Sequence, residues 1–485
     1  MDPAPEEVGN RRRNAPTPVD SPRAFGMEEL FFSTTDCRGI VRSGNEVFRR
    51  ISGYSESALI GRPHNLIRHP DMPSAVFRLV WDYLKRGKAV AGYVKNMAAD
   101  GKHYWVVAML TPLPDGHLSV RFKPTSPVFN AVQAIYRDML RIEQEAEAKG
   151  KSRVAGMDLS SAFLEAALSR LGFPNYEAFM ATLLHSELKS RDAGIALAGS
   201  RLLPDRISES SAKGADFLRT IFGRFHETYQ EVNLLYSELD EFSRLNTELN
   251  RTCEGTSARS HAFRLTALNA TIQATQLGDQ GHTISVVAHH LEEIAHHIAT
   301  ASSDLVQAMV PVESGLRSII FNLAASRLQL EMVILFCHEL ALSETGDQTH
   351  CRNLEALQSA FAGTIRPAIE TLTSTSASLG ICAVHAEHMR KHTVMMQVAQ
   401  VVGSVETSGL SADTPLHQML IDVRAHTSET RTQLDRLLDI MAEFSRLSQA
   451  TPAMIDRITR ALQLTQSDLA EFLSLVEVAQ KVGNG

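Results

Sequence analysis

Two regimes of hydrophobic patterning divide the chain near residue 125. Before it, short apolar runs alternate with turn signals. "LFFSTT" (30–35) and "IVRSGN" (40–45) read as strands joined by "DCRG", in which Asp36 opens a turn and Gly39 supplies positive φ. "EVFRRISG" is a short helix stopped by Gly53, and "SESALI" a second, with Ser55 as N-cap and Gly61 as stop. "AVFRLVWDYLKRGK" (75–88) sets Phe77, Val80, Trp81 and Leu84 on one helical face. "VAGYVKNMAA" and "HYWVVAMLTPL" are strands joined by the hairpin signal "ADGK", and "HLSVRFKP" closes as a last strand. The expectation is an α+β domain over 26–125, an antiparallel five-stranded sheet with short helices.

Beyond residue 125 the period becomes helical. "SPVFNAVQAIYRDMLRIEQEAEAKG" (126–150) and residues 160–189, broken at "GFPN", predict a helical connector over 126–205. From Leu218, spacings of three and four reach Ile221, Phe225, Thr228, Val232, Leu235, Leu239 and Phe242, a sustained heptad seam. A second seam runs Ile284, Val287, Leu291, Ile294, Ile298, Ala301, Leu305. The Gly-flanked "LGDQG" (277–281) between them predicts an antiparallel hairpin over 206–346 with its tip near 273–282. A third seam, Leu434, Leu437, Met441, Phe444, resumes in register after Pro452 at Ile455 and Ile458. The second half is therefore all-α: a long hairpin and additional C-terminal helices over 352–485. Those helices either complete a self-contained four-helix bundle with the hairpin or form a bundle of their own, and a homodimer is the other way to complete four helices.

Charge and composition narrow the class. A net charge of -7 and a pI near 6.3 give no sign of nucleic-acid binding. The five cysteines are scattered without a CxxC, as expected for reduced thiols in a cytosol. No uninterrupted apolar run approaches the roughly 20 residues of a spanning helix, the longest being "MVILFC". Residues 1–25 lack an apolar signal region and read as a disordered leader. A soluble cytoplasmic protein is expected. With no Walker A, G-x-S-x-G or HExxH pattern, catalysis is not. "HHLEEIAHH" places His289, Glu293 and His297 on one helical face at a spacing metals can use, but opposite the apolar seam, so it reads as a solvated stripe and no metal site is assigned. "VHAEHMRKH" (384–392) is a weaker version of the same pattern.

The chemistry concentrates in "PHNLIRHPDMP" (63–73). Three prolines exclude a helix interior or a central strand. Such an elbow suits the wall of an apolar pocket with a few convergent polar groups. Arg68 is suited to a phosphate or ring carbonyl, and Asn96 to the edge of a heterocycle. His64 or His69 could instead be an axial ligand to haem, giving a gas sensor. The bland alternative is a cofactor-free interaction scaffold in which Arg68 merely pairs with Asp71.

The phrases "TTDCRGIVRSGNEVFRRISGY", "ALIGRPHNLIRHPDMP", "VWDYLKRGKAVAGYVKNMAADGKHYWVVAMLTPL" and "SVRFKP" resemble the PAS domain of aerotaxis receptors. That resemblance implies noncovalent FAD read out as redox or oxygen status. Carried over by motif, it implies cofactor contacts at Asn45, Arg68, His69, Asp71, Trp81, Asn96 and Trp105. Val90 stands where that family commonly has an aromatic residue. Further on, "LTALNATIQATQLGDQGHTISVVAHHLEEIA" (265–295) is similar to the signalling tip of methyl-accepting chemotaxis proteins. This implies a chemotaxis kinase or its coupling adaptor as partner, contacted at Gln273, Gln276 and Asp279. The family's Glu, Arg and Glu are replaced at these three positions, and its Arg-Gly-Phe by His282, Thr283 and Ile284. The input half thus matches its family more closely than the output half.

Overall fold

The computed structural model describes residues 16–205, 215–276, 282–342, 348–408 and 415–483. It opens on a sheet of β1 (Val19–Pro22), β2 (Phe31–Asp36), β3 (Val41–Gly44), β4 (Val90–Met97), β5 (Lys102–Leu113) and β6 (Gly116–Phe122). The strand order is β1-β5-β6-β2-β3, with β4 also on β5. All pairings are antiparallel except β1 on β5. The sheet thus has six strands, not five. The extra one lies inside the stretch read as a leader, where the Val19 amide donates to the Gly101 carbonyl at 2.8 Å.

Between β3 and β4 lie α1 (Glu46–Ser52), α2 (Glu56–Leu59), a 3-10 turn at His64–Ile67 and α3 (Ser74–Lys85). Asn45 caps α1 by accepting from the Phe48 amide, and Gly53 ends it at φ 71°, a conformation that side-chain-bearing residues rarely adopt. The β2–β3 turn forms as expected: the Asp36 carboxylate accepts from the amides of Arg38 and Ile40, and Gly39 takes φ 81°. Pro73 offers no side-chain cap to α3, whose first amides, Ser74 and Ala75, donate to Glu143 at 2.7 and 2.9 Å.

Strand alternation gives the sheet two unlike faces. Phe31, Tyr104, Val106 and Ala108 pack with Phe48, Ile51, Leu59 and Ile67 under the short helices. The opposite face is covered by helices of the same chain: α4 (Val128–Ala148), α6 (Tyr176–Leu197), and part of α9 (His282–Leu342). Trp105 meets Phe129 edge-on at 5.2 Å, Phe122 lies under Arg191 at 5.6 Å, and Phe32 meets Phe336 at 5.0 Å. The connector adds α5 (Arg153–Arg170), and Asn175 caps α6 after the "GFPN" break.

The remaining helices are α7 (Ala215–Ser237), α8 (Leu239–Gln276), α10 (Gln348–Glu406) and α11 (Pro415–Gly483). The compact units do not follow chain order. The first comprises residues to Tyr236, Ile320–Ala368 and those from Ile455; the second comprises Ser237–Ile319 and Ile369–Met454. In the second unit four antiparallel segments close a ring of contacts. Thr271 of α8 donates to Glu292 of α9; His297 of α9 stacks on His392 of α10; Arg390 of α10 pairs with Asp435 of α11; Phe444 of α11 meets Phe242 of α8. Four segments of one chain thus pack together in this unit. The seams form its interior: Phe242, Leu249, Leu291, Ile294, Leu437 and Phe444 are buried. The side chains of Gln273 and Gln276, and Asp279 altogether, lie outside the described residues.

Length and composition would allow one helix among the described residues, Ser285–Leu342, to cross a membrane, but 83% of its most apolar window is buried inside the protein. The uninterrupted run "MVILFC" understates this segment because His338 and Glu339 interrupt it only locally.

Candidate functional site

The elbow spans the inner face of the sheet from edge to edge. Ile40, just before β3, bridges to Pro63, and Arg68 bridges to Asn96 of β4. The His69 amide donates to the Lys95 carbonyl at 3.3 Å, and Lys95 Nζ reaches Asp71 at 2.6 Å. Prolines and bridges together hold the segment as a fixed strap over the apolar cluster.

Under the strap the inner face is more polar than its apolar neighbours suggest. Inward positions of β6 are His117, Ser119 and Arg121; register puts Arg121 beside Phe31 and Ala108. Arg121 is 3% exposed. Its guanidinium donates to Ser33 Oγ at 3.1 Å, lies 2.6 Å from His64 Nε2, and sits 5.4 Å from the centre of the Phe48 ring. Among the described residues no carboxylate pairs with it. Burial accordingly pulls its pKa down to about 10, and burial together with the Arg121 charge pushes His64 well below 6.5. Nearby on the same face, Asn96 Nδ2, Tyr104 Oη and Ser119 Oγ are buried without a hydrogen-bond partner. Buried polar groups are nearly always satisfied, so these orphans on the same face as a buried cation with no carboxylate are the unusual feature of the inner face.

The residues expected at a cofactor separate by position. Asn96 is 3% exposed and faces this interior beside Tyr104. Arg68, His69 and Asp71 cluster at the β4 end of the strap. Arg68 donates to the Met72 carbonyl at 2.8 Å and lies 4.3 Å over the Phe77 ring. His69 is buried and accepts from the Asp71 amide at 3.1 Å; burial first, then Lys95, lowers its pKa to about 4. Asp71 is exposed; burial is the largest single influence and opposes its ionisation, but the Lys95 hydrogen bond and charge, with His69 and His103, together hold it below the usual carboxylate range. Trp81 sits at the far end, against Gly39 and edge-on to His117 at 5.3 Å. Asn45 is spent on structure, accepting from Phe32 and Phe48 amides and donating to Leu30 and to Glu339 of α9. Trp105 points to the opposite face, against α4, because odd positions of β5 face outward while Tyr104 faces in. The structure thus gathers Asn96, Arg68, His69 and Asp71 at the β4 end of the strap, leaves Trp81 at the far end, and turns Trp105 to the opposite face, with Asn45 bonded to backbone and to Glu339.

Arg121, Ser33 and Ser119 were not expected at the site. The signal for Ser119 and Arg121 was the polar half of "HLSVRF", whose alternation reads as a solvent face unless both faces are covered.

The outer face holds a second buried polar system. Glu187 of α6 accepts from Tyr93 Oη at 2.5 Å, the Thr125 amide at 2.6 Å and the Ser126 amide at 3.0 Å. Arg191 and Glu331, both fully buried, pair at 2.5 Å, and Arg327 joins Glu331 at 3.1 Å and Asp192 at 2.6 Å. Gln329 donates to Thr111 of β5 at 2.7 Å. Sheet, connector and α9 are thereby fastened by groups with no water to fall back on.

Residues 42–121 match the family model for a PAS fold. The chain is 40% identical over 115 residues to the aerotaxis receptor of Escherichia coli, 23% of each chain. It is 22% identical over 330 residues to the biofilm dispersion protein BdlA of Pseudomonas aeruginosa, 67% of this chain and 65% of that one. The chain therefore spans about a quarter of the first relative and just under two thirds of the second. A solved PAS domain from Colwellia psychrerythraea is 18% identical, covers 24% of this chain and 96% of its own, with a TM-score of 0.18. The N-terminal domain is a PAS fold, followed by a predominantly helical region.

Proposed function

We propose that the chain is a cytoplasmic sensory transducer whose PAS domain reads redox or oxygen status through noncovalently bound FAD. One observation carries the reading: the fully buried Arg121, without a carboxylate, facing the same interior as the orphaned Asn96, Tyr104 and Ser119. An isoalloxazine edge offers the carbonyl oxygens and ring nitrogens these donors lack. Bound FAD supplies a reversible redox change that alters the charge on its ring. Arg121 is the group placed to respond, since a buried cation is drawn to any added negative charge in low dielectric. Asn96 and Tyr104 orient the ligand edge, and the Arg68–Asp71 strap excludes water.

The route outward is short. Arg121 and Phe122 are consecutive on β6; Phe122 contacts Arg191, and Arg191 holds Glu331 of α9. A shift of β6 by the inner ligand is felt at this pair and at Thr111–Gln329, biasing the packing of α9. A chemotaxis kinase, its coupling adaptor or a related signalling protein is the intended reader, at the tip carrying Gln273, Gln276 and Asp279. Haem ligation through His64 is disfavoured because its Nε2 already faces the Arg121 cation, which opposes iron binding there.

The test is the visible spectrum of the purified full-length chain after reconstitution with FAD. The reading expects the two visible bands of a flavin and their loss in Asn96→Leu. A single intense Soret band indicates haem, and no visible absorption after reconstitution returns the domain to a cofactor-free scaffold.

A further inference from the structure

A cavity of about 480 Å³ opens where β3, α1 and α2 meet the end of α9 and the start of α10. All of its lining belongs to the first compact unit. Small-molecule sites commonly occupy about 300–1,000 Å³ behind mostly apolar walls with a few polar groups. Here Val41 and Ile60 form one wall, and Phe336 and Leu340 the other. The cavity is separate from the interior under the strap. Arg121, Asn96, Tyr104 and Ser119 do not line it, and it shares only Phe48 and Leu59 with the inner apolar cluster. One polar group is out of keeping with these walls. The half-buried Glu339 accepts from the Glu46 amide at 2.8 Å and from Asn45 Nδ2 at 3.3 Å. Each carboxylate oxygen has two lone pairs, so both keep acceptor capacity beyond these bonds. Among the described residues no cation pairs with Glu339; Arg49, whose charge reaches it, is spent on Glu46 and Glu56. Burial accordingly raises the Glu339 pKa.

We propose that this cavity binds a small organic cation, a primary ammonium on an aromatic body, with the ammonium on Glu339 and the ring against Phe48 and Phe336. An ammonium brings the one positive charge the carboxylate lacks and donors for its open acceptor positions. The aromatic walls suit a flat apolar body and add attraction for a cation held close to a ring. Glu46, Glu56 and Glu339 outweigh Arg49 in the lining, so organic anions are turned away. An inorganic cation is less well served, because no cluster of His, Cys, Asp and Glu among the described residues is arranged to hold a metal. The position gives the ligand a consequence. Asn45 and Glu46 begin α1, Asn45 also accepts from the Phe32 amide of β2, and Glu339 belongs to α9. An ammonium on Glu339 thus bears on the PAS domain and on α9 together. The transducer gains an input that does not pass through the inner cofactor face, and the proposal holds whatever that face binds.

Calorimetric titration of the full chain with tryptamine tests this, with saturable binding expected at a Kd of about 1 mM or tighter for a ligand of that size. Tryptophol, which keeps the indole and replaces the ammonium by a hydroxyl, and indole-3-propionate, which replaces it by a carboxylate, should each bind at least about 10-fold more weakly. Glu339→Gln should weaken tryptamine at least about 10-fold with the helical circular dichroism unchanged, since the amide oxygen can still accept from Asn45 and Glu46. Glu56→Gln, whose carboxylate is already held by Arg49, should change the Kd by less than about twofold. Saturating FAD should leave the tryptamine Kd unaltered. If Glu339→Gln fails to fold, the three ligands compared on the parent chain still decide. No saturable binding up to about 10 mM, tryptophol binding as tightly as tryptamine, a folded Glu339→Gln chain that binds like the parent, or competition by FAD overturns the proposal.

Discussion

Replacing Arg121 by Met separates a structural arginine from one kept for a ligand. The side chains have similar reach, but Met carries no charge. Burial holds the Arg121 pKa near 10 instead of 12.5, which corresponds to about 3 kcal/mol against the charged form in the folded chain. Against this stand the ring contacts with Phe48 and Phe31, at 5.4 and 6.0 Å, worth together about 1–2 kcal/mol. The hydrogen bonds to Ser33 and His64 offset part of the rest. In the cofactor-free chain, Arg121→Met should therefore range from neutral to about 2 kcal/mol more stable. FAD binding should weaken about 10- to 100-fold, the loss of one charged hydrogen bond. Urea denaturation of cofactor-free protein gives the first quantity and fluorescence titration with FAD the second. A cofactor-free variant less stable by more than about 1 kcal/mol, or one that binds FAD as tightly as the parent, refutes the assignment.

Acid should loosen the PAS domain before its carboxylates titrate. His64 and His69 have folded pKa values below 6.5, that of His69 near 4, so in this window the unfolded chain binds more protons and stability falls as pH drops from about 6.5 toward 4. Denaturation midpoints at pH 7, 5.5 and 4.5 measure this, and a flat profile contradicts it. Glu331→Gln should cost about 3–5 kcal/mol by stranding the buried Arg191, while Arg191→Met with Glu331→Leu should cost less than Glu331→Gln alone. Equal losses in the two variants would mean the pair is not sealed from water. Glu187→Gln should cost about 2–3 kcal/mol and speed hydrogen exchange at the Thr125 and Ser126 amides, which lose their shared carboxylate. Unchanged exchange there would show that the joint between β6 and α4 is held by something else.

The strands and helices of the PAS domain were legible because local chemistry sets them. Asp36 and Gly39 dictate a turn, Asn45 and Gly53 dictate a helix's ends, and three prolines dictate the strap. The long seams were legible for the same reason, since heptad spacing belongs to a single helix. β1 was not, because "VDSP", with two polar residues and a proline, gains strand geometry only from a neighbour contributed by β5.

The site failed at a more instructive point. Polar alternation in a strand reads as one dry face and one wet face, and in "HLSVRF" that rule assigns Ser119 and Arg121 to water. The rule presumes that only one face has a cover. Here Leu118, Val120 and Phe122 are dry because α6 and α9 cover the outer face, and Ser119 and Arg121 are dry because α1 and the strap cover the inner one. Covers contributed from residues 191 and 331 lie beyond any local window. Once both faces are dry, the polar half of the alternation has no solvent to serve. A buried arginine retained there costs stability, a cost that the proposed flavin would offset on binding.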